Sequence, residues 1–247
     1  MSTYIWQRPD WPHIFYDAHS LLSSINEIAH AQGRLETLLT QLGISNLKDF
    51  EARTFTDEIY HSHEIEGEIL EQQKIYSSIC RRLQVPNASM QLSGPHIEGV
   101  VKTLLEALEC AQSPLSHQRL WSWHRTLFPH NLSGPFPIHA GAYRTDAIAV
   151  ISGSSKNQEV LFETPSADLV PQEMEAFIAW INEISDIPDS IHSAIAHLWF
   201  LTIHPFEDGN GRMARIIGDY TFNRHHTNNQ VLFSLATQLK KHQGEYY

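Results

Sequence analysis

The sequence predicts a mainly α-helical protein in which one β-hairpin interrupts a series of amphipathic helices. Three observations support this fold class. Apolar residues recur at helical spacing through most of the chain, the alternation typical of strands occurs only around 148–162, and a predicted helix over 191–203 is apolar on nearly every side. Because a helix of that composition has to be buried, we expect it at the centre of the domain.

Residues 1–90 are predicted to form an N-terminal helical region. It opens with an aromatic and proline-rich segment, 4–17, which cannot be a regular helix and is expected to lie over helices as an irregular lid. Leucine and isoleucine spacing predicts a long amphipathic helix over 18–42 that serves packing. A second helix is predicted over 48–83, with a break near Gly67.

Residues 91–247 are predicted to form the main domain. Helices are expected to start near Ile97, Ser116 and Pro171, and a loop rich in proline, glycine and histidine spans 129–142. The predicted hairpin follows that loop. Since a lone hairpin is marginally stable, it must lie on the helical body, and its outward edge could pair with another chain.

Composition limits the function classes. The 28 acidic and 17 basic side chains give a formal charge of -11, which argues against a nucleic-acid groove. Cys80 and Cys110 lie in helical segments, so we expect no disulfide framework and a reducing, cytoplasmic compartment. The sequence has no apolar stretch near the ~20 residues that cross a bilayer and no signal-like start, so neither membrane insertion nor secretion is expected.

Residues 204–215, His-Pro-Phe-Glu-Asp-Gly-Asn-Gly-Arg-Met-Ala-Arg, join the central helix to a second helix. Gly209 and Gly211 permit backbone angles that bring the main chain close to a ligand. A helix that starts near Asn210 would point free N–H groups and its positive dipole end into the turn. That arrangement favours a bound phosphate.

Side chains suited to nucleotide chemistry flank this turn. Arg212 and Arg215 are three residues apart, so both guanidinium groups can face the same anion. Asp208 offers the hard oxygen ligand that Mg²⁺ prefers, and His204 is a natural general base. Each feature is common by itself, but together they indicate a nucleotide with its metal.

Taken as one run, residues 204–215 resemble the active-site motif of the Fic family at every defining position. The resemblance implies a nucleotidyltransferase that moves AMP from ATP, with Mg²⁺, onto a Ser, Thr or Tyr hydroxyl of a target protein. It implies that His204 deprotonates the hydroxyl, that Asp208 holds Mg²⁺ and that Phe206 is a buried anchor. The phosphate-binding positions it implies are Gly209, Asn210, Gly211, Arg212 and Arg215.

The resemblance extends over roughly 50–230. His124, Phe128 and the segment 141–144 look like further family features, and the hairpin over 148–162 looks like the family's flap, which implies that a target segment docks there as an added strand. The aromatic start resembles one bacterial subgroup whose members commonly continue into a winged-helix region. Because this sequence stops at its second terminal tyrosine, we expect a chain that is truncated or that lacks that region.

The sequence Ser62-His63-Glu64-Ile65-Glu66-Gly67 resembles the inhibitory motif of Fic proteins. The matching positions are Ser62, Glu66 and Gly67. A carboxylate of Glu66 against Arg215 would occupy the guanidinium needed by the γ-phosphate, so ATP would bind with its α-phosphate poorly aligned for attack. We therefore predict autoinhibition by an N-terminal inhibitory helix.

Other functions stay open. Within the same fold, the enzyme could remove AMP, with Glu66 orienting a water, or use another nucleotide. A metal-binding protein is a second class, since the chain has 16 histidines that include His61, His63, His225 and His226, although no Cys/His spacing or His-Glu-x-x-His pattern supports it. A third class is a non-catalytic interaction module. Self-modification and a homodimer also stay open.

Overall fold

The computed structural model describes residues 4–41, 44–86, 91–154, 157–183, 186–224 and 233–246, with the backbone alone for 44–45, 151–154 and 157–159. The helices are α1 (Ala18–Leu39), α2 (Ile44–Ile65), α3 (Gln72–Leu83), α4 (Pro95–Glu109), α5 (His117–Leu127), α6 (Val170–Asn182), α7 (Asp189–Ile203), α8 (Asn210–Phe222), α9 (Leu235–Lys241) and α10 (Gln243–Tyr246). The strands are β1 (Leu132–Ser133), β2 (Phe136–Pro137), β3 (Ala149–Ser154) and β4 (Asn157–Glu163). The predicted mainly α-helical fold class is confirmed.

Helix α7 is the buried centre that its composition predicts. It packs against α8 and α6, and the side chains of Trp199, Phe200 and Ile203 are at most 3% exposed. Ala194 and Leu198 form its outward side. Burial of each large apolar side chain contributes about 1.5–3 kcal/mol, so this helix is a rigid support for the turn that follows it.

The N-terminal helices divide into a packed part and an exposed part. Helix α2 ends at Ile65 and α3 begins at Gln72, which confirms the break near Gly67, whose φ of 79° suits glycine. Helix α2 packs against α3 and α9. Helix α1 forms as predicted, but among its residues Leu39 is the one buried, and Leu38 is 59% exposed. The expectation that its apolar stripe would be packed is therefore wrong for the described residues, because spacing predicts an apolar face and not a partner.

The described residues form two antiparallel hairpins where the sequence predicted one. The expected hairpin consists of β3 and β4, with a register shift between Val150 and Ile151, and its turn at 155–156 lies outside the described residues. The second pairs β1 with β2 inside the expected loop at 129–142. With two residues in each strand, it is too short for the period-2 pattern to reveal it.

The aromatic segment at the N-terminus lies over the domain without regular structure beyond a 3-10 turn at Ile5–Gln7. The Trp11 ring meets Trp199 edge-on at 5.8 Å, and its indole N–H donates to Glu173 Oε2 at 2.9 Å. The indole of Trp6 donates to the Glu163 carbonyl at 2.7 Å. The segment therefore joins α6, α7 and the end of β4.

Both cysteines are free thiols, as expected, with Cys80 buried and Cys110 partly exposed. None of the helices in the described part of the chain combines the length and the apolar character that a membrane crossing requires.

Candidate active site

The turn between α7 and α8 has the geometry of a ligand-binding loop. Helix α7 is closed by His204 in the left-handed conformation, with φ of 53°, and α8 begins at Asn210 directly after Gly209, with φ of 76°. A Cβ on Gly209 would lie 2.6 Å from the Phe128 ring, so glycine is required there for space as well as for backbone angle. The predicted helix start near Asn210 is confirmed.

Arg144 fixes the first half of the turn. Its guanidinium donates from Nε to the His204 carbonyl at 2.8 Å and from Nη2 to the Pro165 carbonyl at 2.6 Å, and its backbone N–H donates to the Pro205 carbonyl at 2.9 Å. The side chain is 2% exposed. Because the planar guanidinium serves several carbonyls at once, it joins the end of α7 to the base of the β3–β4 hairpin.

His124 fixes the second half of the turn. The Gly141 N–H donates to Nδ1 at 2.9 Å, so Nε2 carries the proton and donates to the Asp208 carbonyl at 3.0 Å. The imidazole also stacks on the Phe206 ring, with centroids 3.9 Å apart. Burial lowers the pKa of His124 to about 4, which keeps the ring neutral in the tautomer that these bonds need.

The side chain of His204 is arranged to accept a proton. Its Nδ1–H donates to the Leu201 carbonyl at 3.2 Å, which leaves Nε2 with a free lone pair in the neutral ring. Burial lowers the pKa of His204 below its ordinary value. The neutral, proton-accepting form is therefore the one present at neutral pH.

Asp208 borders a cleft of about 650 Å³ that Glu66, Gly67, Phe128 and Arg212 also line. Its carboxylate accepts the Gly209 N–H at 2.5 Å and the hydroxyl proton of Ser133. Arg212 Nη2 lies 3.7 Å from Oδ2. A carboxylate offers about four lone-pair sites, so Asp208 keeps lone pairs that can face the cleft. These lone pairs suit a hard cation such as Mg²⁺.

The two arginines of α8 have different carboxylate partners. Arg215 Nη2 lies 2.5 Å from Glu66 Oε1, and the same guanidinium donates from Nε to the Ser62 hydroxyl at 2.7 Å and from Nη2 to the Ser62 carbonyl at 2.8 Å. Arg212 donates to Glu68 at 3.2 Å. Each guanidinium therefore faces its own carboxylate in this structure, and the binding of one shared anion by both arginines stays a prediction.

Asn210 acts inside the turn. Its side chain is 2% exposed, accepts the Phe206 N–H at 2.9 Å and donates to the Phe206 carbonyl at 2.8 Å. This pair of bonds closes the turn beneath the helix start. Any contact of Asn210 with a phosphate would therefore come from its backbone N–H and not from its amide group.

Residues 63–68, at the end of α2, form an acidic turn that places Glu66 over the start of α8. The N–H groups of Glu66 and Glu68 both donate to the His63 carbonyl at 3.0 Å, and a Cβ on Gly211 would collide with Glu66 Oε1. Gly211 thus leaves the space that the carboxylate fills. Glu64 points elsewhere, toward His61 at 2.9 Å and Lys240 at 3.8 Å.

Several site residues were given no role by the sequence. Arg144 and His124 appeared only as parts of a resemblance, and Ser133 and Glu68 were not singled out for the site. Ser133 lies 75 residues from Asp208 along the chain, and Glu68 lies 144 residues from Arg212. Contacts at such separations follow from packing and leave no local pattern.

Comparison with family models finds two matches. Residues 114–221 match the Fic/DOC family, and residues 4–85 match a domain of unknown function, DUF4172. The first match contains the whole turn, Asp208, Arg212 and Arg215. The second contains the acidic turn with Glu66.

The chain is similar to proteins named protein adenylyltransferase. The protein adenylyltransferase Fic of Nematostella vectensis is 29% identical over 170 residues, which is 64% of this chain and 35% of that protein. Protein adenylyltransferase fic-1 of Caenorhabditis briggsae is 26% identical over 200 residues, 78% of this chain and 34% of that protein. The chain thus spans about a third of the length of these relatives.

Solved structures share the fold. A Fic family protein from Desulfovibrio desulfuricans superposes with a TM-score of 0.66 at 24% identity, over 96% of this chain and 66% of that one. A Fic domain containing signaling protein from Bacteroides thetaiotaomicron gives a TM-score of 0.64 at 20% identity, over 88% of this chain and 79% of that one.

Proposed function

We propose that this chain, which carries a Fic domain over residues 114–221, is a protein adenylyltransferase that is restrained by its own Glu66. It would transfer AMP from ATP to a Ser, Thr or Tyr hydroxyl of a target protein. The observation that carries the proposal is the meeting of Glu66 and Arg215 at 2.5 Å, directly over the helix start that is suited to phosphate.

His204 is the proposed general base. The bond from Nδ1–H to the Leu201 carbonyl leaves Nε2 as the nitrogen that takes the hydroxyl proton of the target. Arg144 holds the backbone of this residue through the His204 carbonyl, so the ring keeps one position relative to the turn. The oxygen freed of its proton would attack the α-phosphorus, and pyrophosphate would leave.

The start of α8 is the proposed seat of the phosphates. The first bond inside the helix runs from the Met213 N–H to the Gly209 carbonyl at 2.9 Å, so the N–H groups of residues 210–212 precede the helical ladder and can face an anion. Arg212 and Arg215 add two positive charges at the same end. Mg²⁺, when bound, would neutralise phosphate charge, and Asp208 is the residue that would hold it.

Glu66 is the proposed brake, with Ser62 and Gly67 as its supports. Ser62 orients the Arg215 guanidinium through two bonds, and Gly67 turns the chain so that the carboxylate reaches it. A γ-phosphate would compete with that carboxylate for Arg215. While Glu66 stays in place, ATP would bind with its α-phosphate displaced from His204.

The β3–β4 hairpin is the proposed docking surface for the target. It is a two-stranded sheet whose side chains Val160 and Leu161 are 49% and 55% exposed. Arg144 joins the end of the hairpin at Pro165 to the His204 carbonyl. An extended segment added to an edge of this hairpin would therefore lie at a fixed distance from the base.

Labelling with radioactive or fluorescent ATP and Mg²⁺ tests the proposal. Glu66→Gly should raise self-labelling and target labelling about 10- to 100-fold, because a charge-assisted bond contributes about 1.5–3 kcal/mol and each 1.4 kcal/mol is about tenfold. Glu64→Gln is the matched control, since it removes a carboxylate from the same turn that does not touch Arg215.

Two outcomes would contradict the proposal. Equal labelling of the parent and the Glu66→Gly variant would show that Glu66 does not inhibit the transfer. Release of AMP from a labelled protein by the parent, lost in Glu66→Gln, would assign Glu66 to hydrolysis in place of inhibition.

A further inference from the structure

Three potential metal ligands meet beside the acidic turn, outside the turn of the active site. His63 lies in the last turn of α2, Glu68 follows that helix, and His96 is in the first turn of α4. His96 Nε2 lies 2.8 Å from Glu68 Oε1, and His63 Nε2 lies 3.9 Å from Glu68 Oε2. All three ligand atoms are within 4.8 Å of one another.

His63 offers a ring nitrogen that has no hydrogen-bond partner among the described residues. The side chain is 1% exposed, and its Nδ1–H donates to the Ile59 carbonyl at 2.9 Å, so Nε2 carries a buried lone pair without a hydrogen bond. Metal-binding histidines typically donate their second ring nitrogen to a carbonyl in this way, which fixes the tautomer and the ring orientation. Burial, with the charge of Arg212, lowers the pKa of His63 to about 3, so the ring does not need to lose a proton to bind a cation.

The spacing of the three atoms suits a small ion. Zn–N bonds of about 2.0–2.1 Å in a tetrahedron place neighbouring ligand atoms about 3.3 Å apart. The observed separations of 2.8 Å and 3.9 Å lie on either side of that value, and the third, between the two imidazole nitrogens, is at most 4.8 Å, so side-chain adjustments of about half an ångström to about 1.5 Å close the site. The side chains of His96 and Glu68 are 34% and 38% exposed, which leaves an open side for entry and for a fourth ligand.

We propose that His63, Glu68 and His96 form a site for a divalent transition metal, with Zn²⁺ the best-matched ion. Two imidazoles and one carboxylate favour Zn²⁺ and its neighbours over Mg²⁺, which prefers oxygen ligands, so this site is chemically distinct from Asp208. The ion would connect the acidic turn to α4. It would also compete with Arg212, which donates to Glu68 Oε2 at 3.2 Å.

The competing explanation is a water molecule. A cavity of about 20 Å³ lined by His63 and Arg212 is large enough for one water, which would satisfy Nε2 without any metal. Metal binding separates the two explanations, because a water site needs neither Glu68 nor His96.

The experiment titrates the untagged 247-residue chain with Zn²⁺ by calorimetry and with Co²⁺ by visible absorption. All proteins carry His225→Ala and His226→Ala, so that this adjacent pair cannot bind the ion. The parent should bind one equivalent, and His96→Ala and Glu68→Gln should each weaken binding by at least about tenfold. His130→Ala is the matched control. His130 is an exposed histidine that lines the cleft beside Asp208, as Glu68 and His96 do, but it lies outside the three-residue cluster. The Zn²⁺ affinity of this variant should equal that of the parent.

Thermal unfolding provides a second readout. Zn²⁺ should raise the melting temperature of the parent and of His130→Ala, and should leave that of His96→Ala unchanged, because only a ligand bound to the folded state stabilises it. Circular dichroism with EDTA checks that the variants fold. Equal Zn²⁺ affinity in all variants, or no saturable binding of either ion by the parent, would overturn the site.

Discussion

The turn 204–209 and the acidic turn 63–68 meet over the start of α8 but are held in different ways. Buried groups hold the first through its backbone: Arg144 at 2% exposure, His124 and Asn210 each bond a carbonyl or N–H of the turn. The second has backbone bonds of its own, from the N–H groups of Glu66 and Glu68 to the His63 carbonyl, but it is joined to α8 by ion pairs of the Glu66 and Glu68 carboxylates, whose side chains are 32% and 38% exposed.

This difference predicts which region can move. Buried bonds to backbone carbonyls are costly to break, whereas the carboxylates of Glu66 and Glu68 are reached by solvent, so another anion can take their place on the arginines. A triphosphate could therefore replace the acidic turn without disturbing the turn that carries His204 and Asp208. Four experiments test whether the turn 204–209 is fixed and whether the acidic turn can be displaced.

The largest effect is expected from His204→Ala in the Glu66→Gly background. Loss of a general base should lower AMP transfer about 10²- to 10⁴-fold while ATP affinity stays close to that of the parent, since the imidazole acts on the hydroxyl and not on the phosphates. Initial rates of labelling and a direct ATP-binding titration measure the two quantities. His30→Ala, which changes an exposed histidine of α1 away from the cleft, is the control, and unchanged labelling in His204→Ala would assign the base elsewhere.

Arg144→Ala should destabilise the turn 204–209, which buried groups hold in place. The change removes the donor that serves the carbonyls of Ile203, His204, Asp146 and Pro165, and we expect a loss of about 3 kcal/mol in the free energy of unfolding. Urea denaturation at an unchanged m-value measures it. Arg53→Ala removes an exposed arginine and should cost less than about 1 kcal/mol. Equal losses in both variants would mean that the turn 204–209 is not held as described.

The pH profile tests the environment of His204. Because burial lowers its pKa below the ordinary value of about 6.5, the base stays neutral as pH falls to that value. Transfer by Glu66→Gly should be flat around neutral pH and should fall about tenfold per unit only below the lowered pKa. Rates from pH 5 to 8, about the range where a histidine titrates, with circular dichroism at each pH measure this. A midpoint above about 6.5 would contradict the assignment.

Glu68→Gln should have the smallest effect. It removes the charge opposite Arg212 and leaves the Arg215 pair intact, and a partly exposed ion pair contributes about 0–1 kcal/mol. Labelling should rise by no more than about fivefold, far less than for Glu66→Gly. A rise as large as that of Glu66→Gly would show that both carboxylates restrain the site equally.

The sequence predicted the features that local patterns encode. The buried character of α7, the helix start at Asn210 and the break near Gly67 follow from composition, glycine placement and apolar spacing. It could not predict the exposure of the apolar face of α1, the β1–β2 hairpin or the use of the Asn210 side chain. An exposed apolar stripe and a two-residue strand have no distinct spacing, and an asparagine in a turn can face the chain or a ligand equally well.

By itself the sequence determined the order of the helices and the chemical types in the run 204–215, because periodicity and turn residues act over a few positions. Only the tertiary structure decided which groups meet. His63 and His96 are 33 positions apart and 5.8 Å between ring centroids, and Glu66 reaches Arg215 across 149 positions. Such pairs form where α2, α4 and α8 pack together, and packing depends on the whole core.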